Sequence, residues 1–354
     1  MNVFLVLTPL QLINAREAKE FLGTEDNTLI VLRHTTVGYP VSMFRRLIEA
    51  GDWDRVHVLA TYDEESVLKL GVPYYTLLSR RQRQRLDRLA ASLGAVRGLF
   101  IGQDHEPMAR HLSNVLPHET LYLIDDGTYT LETNEKRKRP ADPRTPFETF
   151  KAVVKGKIIG WRNDEPERVT FFTAYDIDPR PGDAVVPNRY VHFRRRVAAA
   201  PPNGEVWFLG EPLTLDGYVT EEAYLRYLRG ARRYYREERF VYLPHSREQE
   251  ADVERLRTAL GCEVRRSGLP VELVLSRAEG HPDRVVSFVS SALHNCRLMF
   301  GSTLRLTSVY LEPEHLLHPE LAAEVEGIYR YFRKQADANF EVLTLAQLGE
   351  ADAP

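Results

Sequence analysis

Cysteine is nearly absent: Cys262 and Cys296 are the only two in 354 residues. Two thiols form at most one bridge, so no disulfide framework holds this chain, and a reducing, cytoplasmic setting is expected. Long apolar runs are missing as well. No stretch approaches the ~20 apolar residues that a membrane-spanning helix needs. The apolar start, Met1 to Leu10, is too short for one and lacks the basic flank of a signal peptide, so it reads as a buried first strand. Formal net charge is only -3, which leaves no bulk attraction to nucleic acid or membrane. There is no internal repeat, no low-complexity tract, and no His/Cys spacing of the zinc type. What remains is a globular mixture, 43% hydrophobic and 27% charged, long enough for two domains at roughly 150 residues each.

The first half alternates strand and helix. Asn2–Leu7 is a continuous apolar run, as a strand covered on both faces requires. Thr8 suits the N-cap and Pro9 the first position of a helix reaching Phe21. Strands follow at Thr28–Leu32, Arg55–Leu59, Gly98–Ile101 and Thr120–Ile124, with helices at Val41–Ala50, Arg81–Leu93 and Glu106–Leu116. Asn134–Arg144 reads as an exposed loop, and Asp176–Pro187 is rich in Pro, Asp and Gly. Ala198–Gly204 is the best linker in the chain. Beyond it strands are expected at Glu205–Leu209, Arg239–Leu243, Glu263–Arg265 and Leu298–Phe300. Helices are expected at Glu221–Arg233 and Arg247–Leu260, with a turn and helix over Pro282–Leu293. The alternation predicts two parallel αβα sheets, 1–200 and 201–354, with a last helix free to pack back on the first half.

Three places could carry chemistry. Asp125-Asp126-Gly127 lies where an apolar strand ends, the end of an open α/β sheet at which ligands bind. Two adjacent carboxylates can differ in role, one as base and one orienting backbone. The plain alternative is a turn, for which Asp and Gly are favoured. In Pro244-His245-Ser246-Arg247-Glu248 the histidine follows a strand at the start of a helix, where a phosphate is favoured and a proton is available near neutral pH. The alternative is an incidental histidine in a capping loop. Ser290-Ser291 offers paired hydroxyls for phosphate oxygens, or an ordinary cap.

Taken in order, these motifs resemble the bacterial sialyltransferases, namely the lipooligosaccharide sialyltransferases of glycosyltransferase family 52 and the capsular polysialyltransferases. Those families share an acidic-acidic-Gly motif, adjacent His and Pro, and a Ser-Ser or Ser-Thr motif. Leu7-Thr8-Pro9-Leu10-Gln11 resembles their Thr-Pro-x-Gln. Leu209-Gly210-Glu211-Pro212-Leu213 resembles their Leu-Gly-Gln-Pro-Leu, with Glu211 where Gln is expected. Pro270-Val271-Glu272 followed by Ser290-Ser291 resembles their nucleotide-binding region. The Pro-His order, where some relatives have His-Pro, leaves the branch and the acceptor open.

The resemblance implies a GT-B fold, two Rossmann-like αβα domains facing a central cleft, and transfer of sialic acid from CMP-sialic acid to a glycan hydroxyl with inversion. It implies Asp125 as base, Asp126 as supporting carboxylate, and His245 as the group that stabilises or protonates the leaving phosphate. Ser290, Ser291, Glu272, Gly210, Pro244 and Thr8 would bind the CMP-sugar, with Glu272 on the ribose; Gly127 and Gln11 would support the acceptor or its loop. No metal and no cofactor are expected, because a monophosphate leaving group carries little charge. The partners expected are that donor and a glycan acceptor, an anionic or lipid-linked one included, with no nucleic acid. Arg80–Arg85 and Lys136–Arg139 could track such an acceptor or touch anionic lipid at the inner membrane; solvated faces are the plain alternative. A transferase for Kdo or another CMP-activated nonulosonic acid would use the same groups. A phosphohydrolase would need Asp-x-Asp after the strand, which is absent, and a non-catalytic glycan-binding relative would be expected to lose motif residues.

Overall fold

A computed structural model describes residues 1–34, 41–61, 69, 71–102, 104–127, 129–139, 154–197, 201–245, 247–277 and 280–349. The chain divides into two units, Met1–His192 and Phe193–Pro354, rather than at the proline-rich stretch near 200. Residues 198–200 of that stretch, and 140–144 of the expected loop, lie outside the described residues.

The first unit holds β1 (Asn2–Val6), α1 (Pro9–Leu22), β2 (Asn27–His34), α2 (Val41–Leu47), β3 (Arg55–Thr61), α3 (Val72–Leu93), β4 (Val96–Ile101), α4 (Pro107–Val115), β5 (His118–Ile124), α5 (Tyr129–Lys138), a π-helical segment (Val154–Ile159), β6 (Thr170–Thr173) and β7 (Ala184–Pro187). Its strands form one sheet in the order β3-β2-β1-β4-β5-β6-β7, and every pairing is parallel. All five residues of β1 are buried, as a central strand covered on both faces must be. Helix α1 starts at Thr8, whose hydroxyl accepts from the Gln11 amide, and stops at Gly23, which is left-handed at φ 58°. The order of winding reverses between β1 and β4, which makes the crevice at their carboxyl ends the ligand position of a doubly wound sheet.

After α6 (Val191–Val197), the second unit holds β8 (Glu205–Leu209), α7 (Glu221–Tyr234), β9 (Arg239–Leu243), α8 (Glu250–Leu260), β10 (Glu263–Val264), α9 (Val271–Arg277), β11 (Arg284–Ser287), α10 (Ser291–Phe300), β12 (Arg305–Val309), α11 (Ala322–Lys334) and β13 (Phe340–Leu343). The sheet order is β10-β9-β8-β11-β12-β13, again parallel, with the reversal between β8 and β11. The last helix packs against β13 through Phe332 and Phe340, whose rings are 5.4 Å apart.

Several expectations are corrected. Leu298–Phe300 is the last turn of α10, not a strand; Cys296, Met299 and Phe300 are buried at helical spacing. The Pro282–Leu293 stretch contains a central strand, β11, because Val285 and Val286 are both fully covered. The basic run at 135–138 is helical, with a Glu132–Lys136 pair one turn apart. Helix α8 begins at Glu250 rather than Arg247. Both cysteines are free thiols.

Candidate functional site

In the first unit, the ends of β1, β4, β5 and β6 are tied together by side chains. Thr8, besides capping α1, donates from its hydroxyl to Asp126 Oδ1 at 3.2 Å. This joins two motifs 118 residues apart. Gln11 turns back so that its Oε1 accepts from the Leu7 amide at 2.7 Å. Its side chain fills the space over Gly102 after β4, where an added Cβ would stand 2.2 Å from Gln11 Cδ. Asn14 donates to the Asp125 carbonyl at 2.9 Å and accepts from Asn188. Gly127 has φ 63°, which favours glycine and closes the turn toward α5.

The two aspartates are not equivalent. Asp125 is 2% exposed. Its Oδ2 accepts from the Ala174 amide after β6 at 2.7 Å, and its Oδ1 is buried without a hydrogen-bond partner. Burial raises its pKa to about 6, against the pull of the Thr173 hydroxyl, the Ala174 amide and the Thr130 hydroxyl. Asp126 is half-buried and so the more accessible of the pair. Asp125 therefore does not project as an open carboxylate; it is held against the sheet with one oxygen unused. Nearby, the exposed His105 lies 4.3 Å ring to ring from Tyr129. Partial shielding lowers its pKa, while Asp104 and Asp126 pull it upward. His105 belongs to no motif in the sequence, although it follows β4 by only four residues.

In the second unit, Glu211 does for the β8–β11 crevice what Gln11 does for the first. Its Oε1 accepts from the Ser287 hydroxyl at 2.7 Å and the Phe288 amide at 2.8 Å. Burial lifts its pKa to about 7, against the hydrogen bonds from Ser287, Phe288, Ser290 and Val289. The Glu211 carboxyl thus sets the turn that leads into Ser290 and Ser291. Ser290 is the N-cap of α10, accepting from Ala292, and is half-buried; Ser291 is exposed. The ordinary capping role of Ser290 is therefore real, and Ser291 keeps a free face.

The same residue also leads to the histidine. The Glu211 amide donates to Tyr224 Oη at 3.1 Å, Tyr224 and Tyr242 hydroxyls meet at 3.0 Å, and Tyr242 donates to Glu248 Oε1 at 2.6 Å. Each tyrosine has one proton, so the run has one direction: amide to Tyr224, Tyr224 to Tyr242, Tyr242 to carboxylate. Glu248 Oε2 then accepts from the His245 amide at 2.6 Å. Gly210 makes the run possible: a Cβ there would stand 2.3 Å from Tyr242 Oη and 2.4 Å from Glu248 Oε2. Pro244 and His245 are half-buried after β9. The imidazole does not sit at a helix start, since α8 begins five residues later. Its Nδ1 accepts from the Arg247 amide at 3.3 Å, which leaves Nε2 to carry the proton of the neutral ring. Burial lowers its pKa, helped by Arg247 and opposed by Asp216, and Asp216 binds Arg247 through both oxygens. Glu272 is 6% exposed and accepts from Asn295 at 2.9 Å; burial raises its pKa. Only its second oxygen is left for a ligand, which is less than an open carboxylate offers a ribose diol.

The basic run at 136–139 is mostly spent on its own neighbours. Lys136 pairs with Glu132 and Lys138 with Glu135. Arg137 is buried and bound to Asp183 through two nitrogens. Among the described residues no group of three or more His, Cys, Asp or Glu is placed to hold a metal ion, and no helix is long and apolar enough to cross a membrane.

No protein-family model and no curated protein sequence matches the chain. Solved structures do. The chain is similar to Arabidopsis thaliana UGT89C1 complexed with UDP-L-rhamnose, with a TM-score of 0.50 and 10% identity over 99% of this chain and 88% of that one. It is also similar to Os79 from O. sativa in complex with UDP and deoxynivalenol-3-glucoside, with a TM-score of 0.48 and 15% identity over 93% and 84%. Acinetobacter baumannii MurG aligns with a TM-score of 0.44 and 9% identity over 98% and 87%. Identities this low speak to architecture alone. With two Rossmann-like units, each a parallel sheet wound in both directions from its first strand, the chain has the GT-B fold.

Proposed function

We propose that this chain is an inverting glycosyltransferase that moves sialic acid from CMP-sialic acid to a glycan hydroxyl. Support comes from its likeness in fold to structures solved with UDP and UDP-sugars and from the motif resemblance. The observation that carries most weight is the run from Phe288 through Glu211, Tyr224, Tyr242 and Glu248 to His245. Through the backbone amides of Phe288 and His245 it ties together the two loops that carry Ser290, Ser291 and His245, the groups a leaving phosphate needs.

In this reading the acceptor oxygen bonds to the anomeric carbon as the bond to the CMP phosphate oxygen breaks. The acceptor proton goes to Asp125, whose raised pKa suits a base working near neutral pH. The charge that grows on the phosphate is met by the Nε2–H of His245 and by the hydroxyls of Ser290 and Ser291. Glu272 takes the ribose through its remaining oxygen, and Gly210 and Pro244 shape the loop. Thr8 and Asp126 hold the acidic turn, with Gly127 and Gln11 behind it. No step calls for a metal, so EDTA is expected to leave turnover unchanged. Exposure favours a second assignment, in which Asp126 takes the proton and Asp125 only anchors Ala174. Asp125→Asn and Asp126→Asn separate the two: the base variant loses turnover by orders of magnitude, the anchoring variant loses stability first.

The reading is tested by offering CMP-Neu5Ac with galactosides, sialosides and lactose, and weighing the products by mass spectrometry. A product heavier by one sialyl residue is expected. CMP release only from CMP-Kdo would move the chain to the Kdo transferases, and no release from any CMP-sugar would leave a non-catalytic glycan-binding relative.

A further inference from the structure

The basic run on α3 behaves differently from the one on α5. Over its 22 residues α3 carries Arg80, Arg81, Arg83, Arg85 and Arg88 against a single acid, Asp87. Arg83 is paired with Asp87, and Arg80 donates from Nε to the Ile158 carbonyl at 2.8 Å. Arg81, Arg85 and Arg88 are exposed and, among the described residues, have no carboxylate partner. They are spaced 81, 85, 88 on one face, and the same face continues toward the helix start as Leu77 and Tyr74. Tyr74 and Leu77 are each 47% exposed, and Ile158, beside Arg80, is 45% exposed. The opposite face holds Tyr75, Gln82, Leu86 and Ala90, all buried in the first unit. The helix is therefore anchored by its inner face. Its outer face, about 33 Å long at 1.5 Å per residue, pairs a cationic stripe with apolar side chains at one end.

We propose that this outer face of α3, with Ile158, docks the first unit on an anionic phospholipid surface. Charge selects the anion: fixed guanidinium groups lie within a Debye length of any surface they meet, and each basic residue near an anionic leaflet adds about 1 kcal/mol of attraction. The apolar side chains select a bilayer over a soluble polyanion. Tyr74 belongs at a headgroup boundary, and Leu77 and Ile158 gain only where there is an apolar phase to enter. A charged glycan or nucleic acid offers the arginines the same partner but gives those three side chains none. The proposal goes beyond the transfer reaction and does not depend on it.

The test is cosedimentation of the whole chain with vesicles of phosphatidylcholine alone and of phosphatidylcholine with phosphatidylglycerol, at low and high salt. Wild type is expected to bind the anionic vesicles, to ignore the neutral ones, and to come off with salt. The combined variant Arg81→Gln, Arg85→Gln, Arg88→Gln is expected to bind roughly a hundredfold more weakly, three basic residues at the quoted strength. The variant Tyr74→Ser, Leu77→Ser is expected to weaken vesicle binding while leaving retention on heparin unchanged. All these side chains are exposed, so the thermal midpoints of both variants should match wild type. Wild type that fails to bind anionic vesicles, or a triple variant that binds as tightly, overturns the proposal. So does a Tyr74, Leu77 variant that binds vesicles like wild type, which would make the face a tract for soluble polyanions.

Discussion

Glu211→Gln probes the second crevice without touching the phosphate hydroxyls. The Glu211 carboxyl has an ordinary pKa of 4.5 and is lifted to about 7 by burial. The folded state therefore holds this proton more tightly than the unfolded chain. The stability linked to it is complete below pH 4.5 and is lost as pH rises through 7. At about 1.4 kcal/mol per pH unit, the loss across that window comes to about 3 kcal/mol. Glutamine keeps the oxygen that accepts from Ser287 and Phe288 but has no proton to lose, so this part of the pH dependence should vanish. The assay is urea unfolding of wild type and Glu211→Gln at several pH values from 4.5 to 8. A constant offset between them is irrelevant; the difference between the two curves should shift by about 3 kcal/mol in favour of the variant, rising between pH 4.5 and 7 with its midpoint near pH 6 and levelling off above about pH 7. Parallel curves would refute the reasoning, because they would mean that Glu211 does not titrate in this range.

Gly102→Ala should destabilise the first unit by about 1–3 kcal/mol, since its Cβ would stand on Gln11; adding Gln11→Ala should restore much of that, and a purely additive double variant in thermal unfolding would count against the close packing. Glu248→Ala frees the His245 amide and the Tyr242 hydroxyl, so turnover should fall and its pH profile should move, whereas Glu248→Gln should restore part of both. A Glu248→Ala protein with wild-type turnover and pH profile would show that the histidine loop holds itself.

Much of the fold was legible because its signals were local. The apolar run of β1, the Thr8-Pro9 start of α1 and the Asp-Asp-Gly turn each rest on a few neighbouring residues. Leu298–Phe300 resembles a strand in sequence because three apolar residues cannot reveal their period; only the burial of Cys296 and Met299 shows that the helix continues. Arg284–Ser287 is hidden for the opposite reason, a short buried strand flanked by charge and proline. The site divides the same way. Motif positions were visible, but which aspartate is open and which is covered depends on Ala174, 49 residues away. The importance of Glu211 also stayed hidden, since a single departure from an expected glutamine carries no sign that its carboxyl reaches Ser287, 76 residues on.

The most direct measurement is a paired one, CMP affinity by calorimetry and sialyl turnover for Asp125→Asn and His245→Ala. Transfer lost with CMP affinity kept in the first, and both reduced in the second, is the predicted result. Full turnover in Asp125→Asn, or unchanged CMP affinity in His245→Ala, would contradict the account.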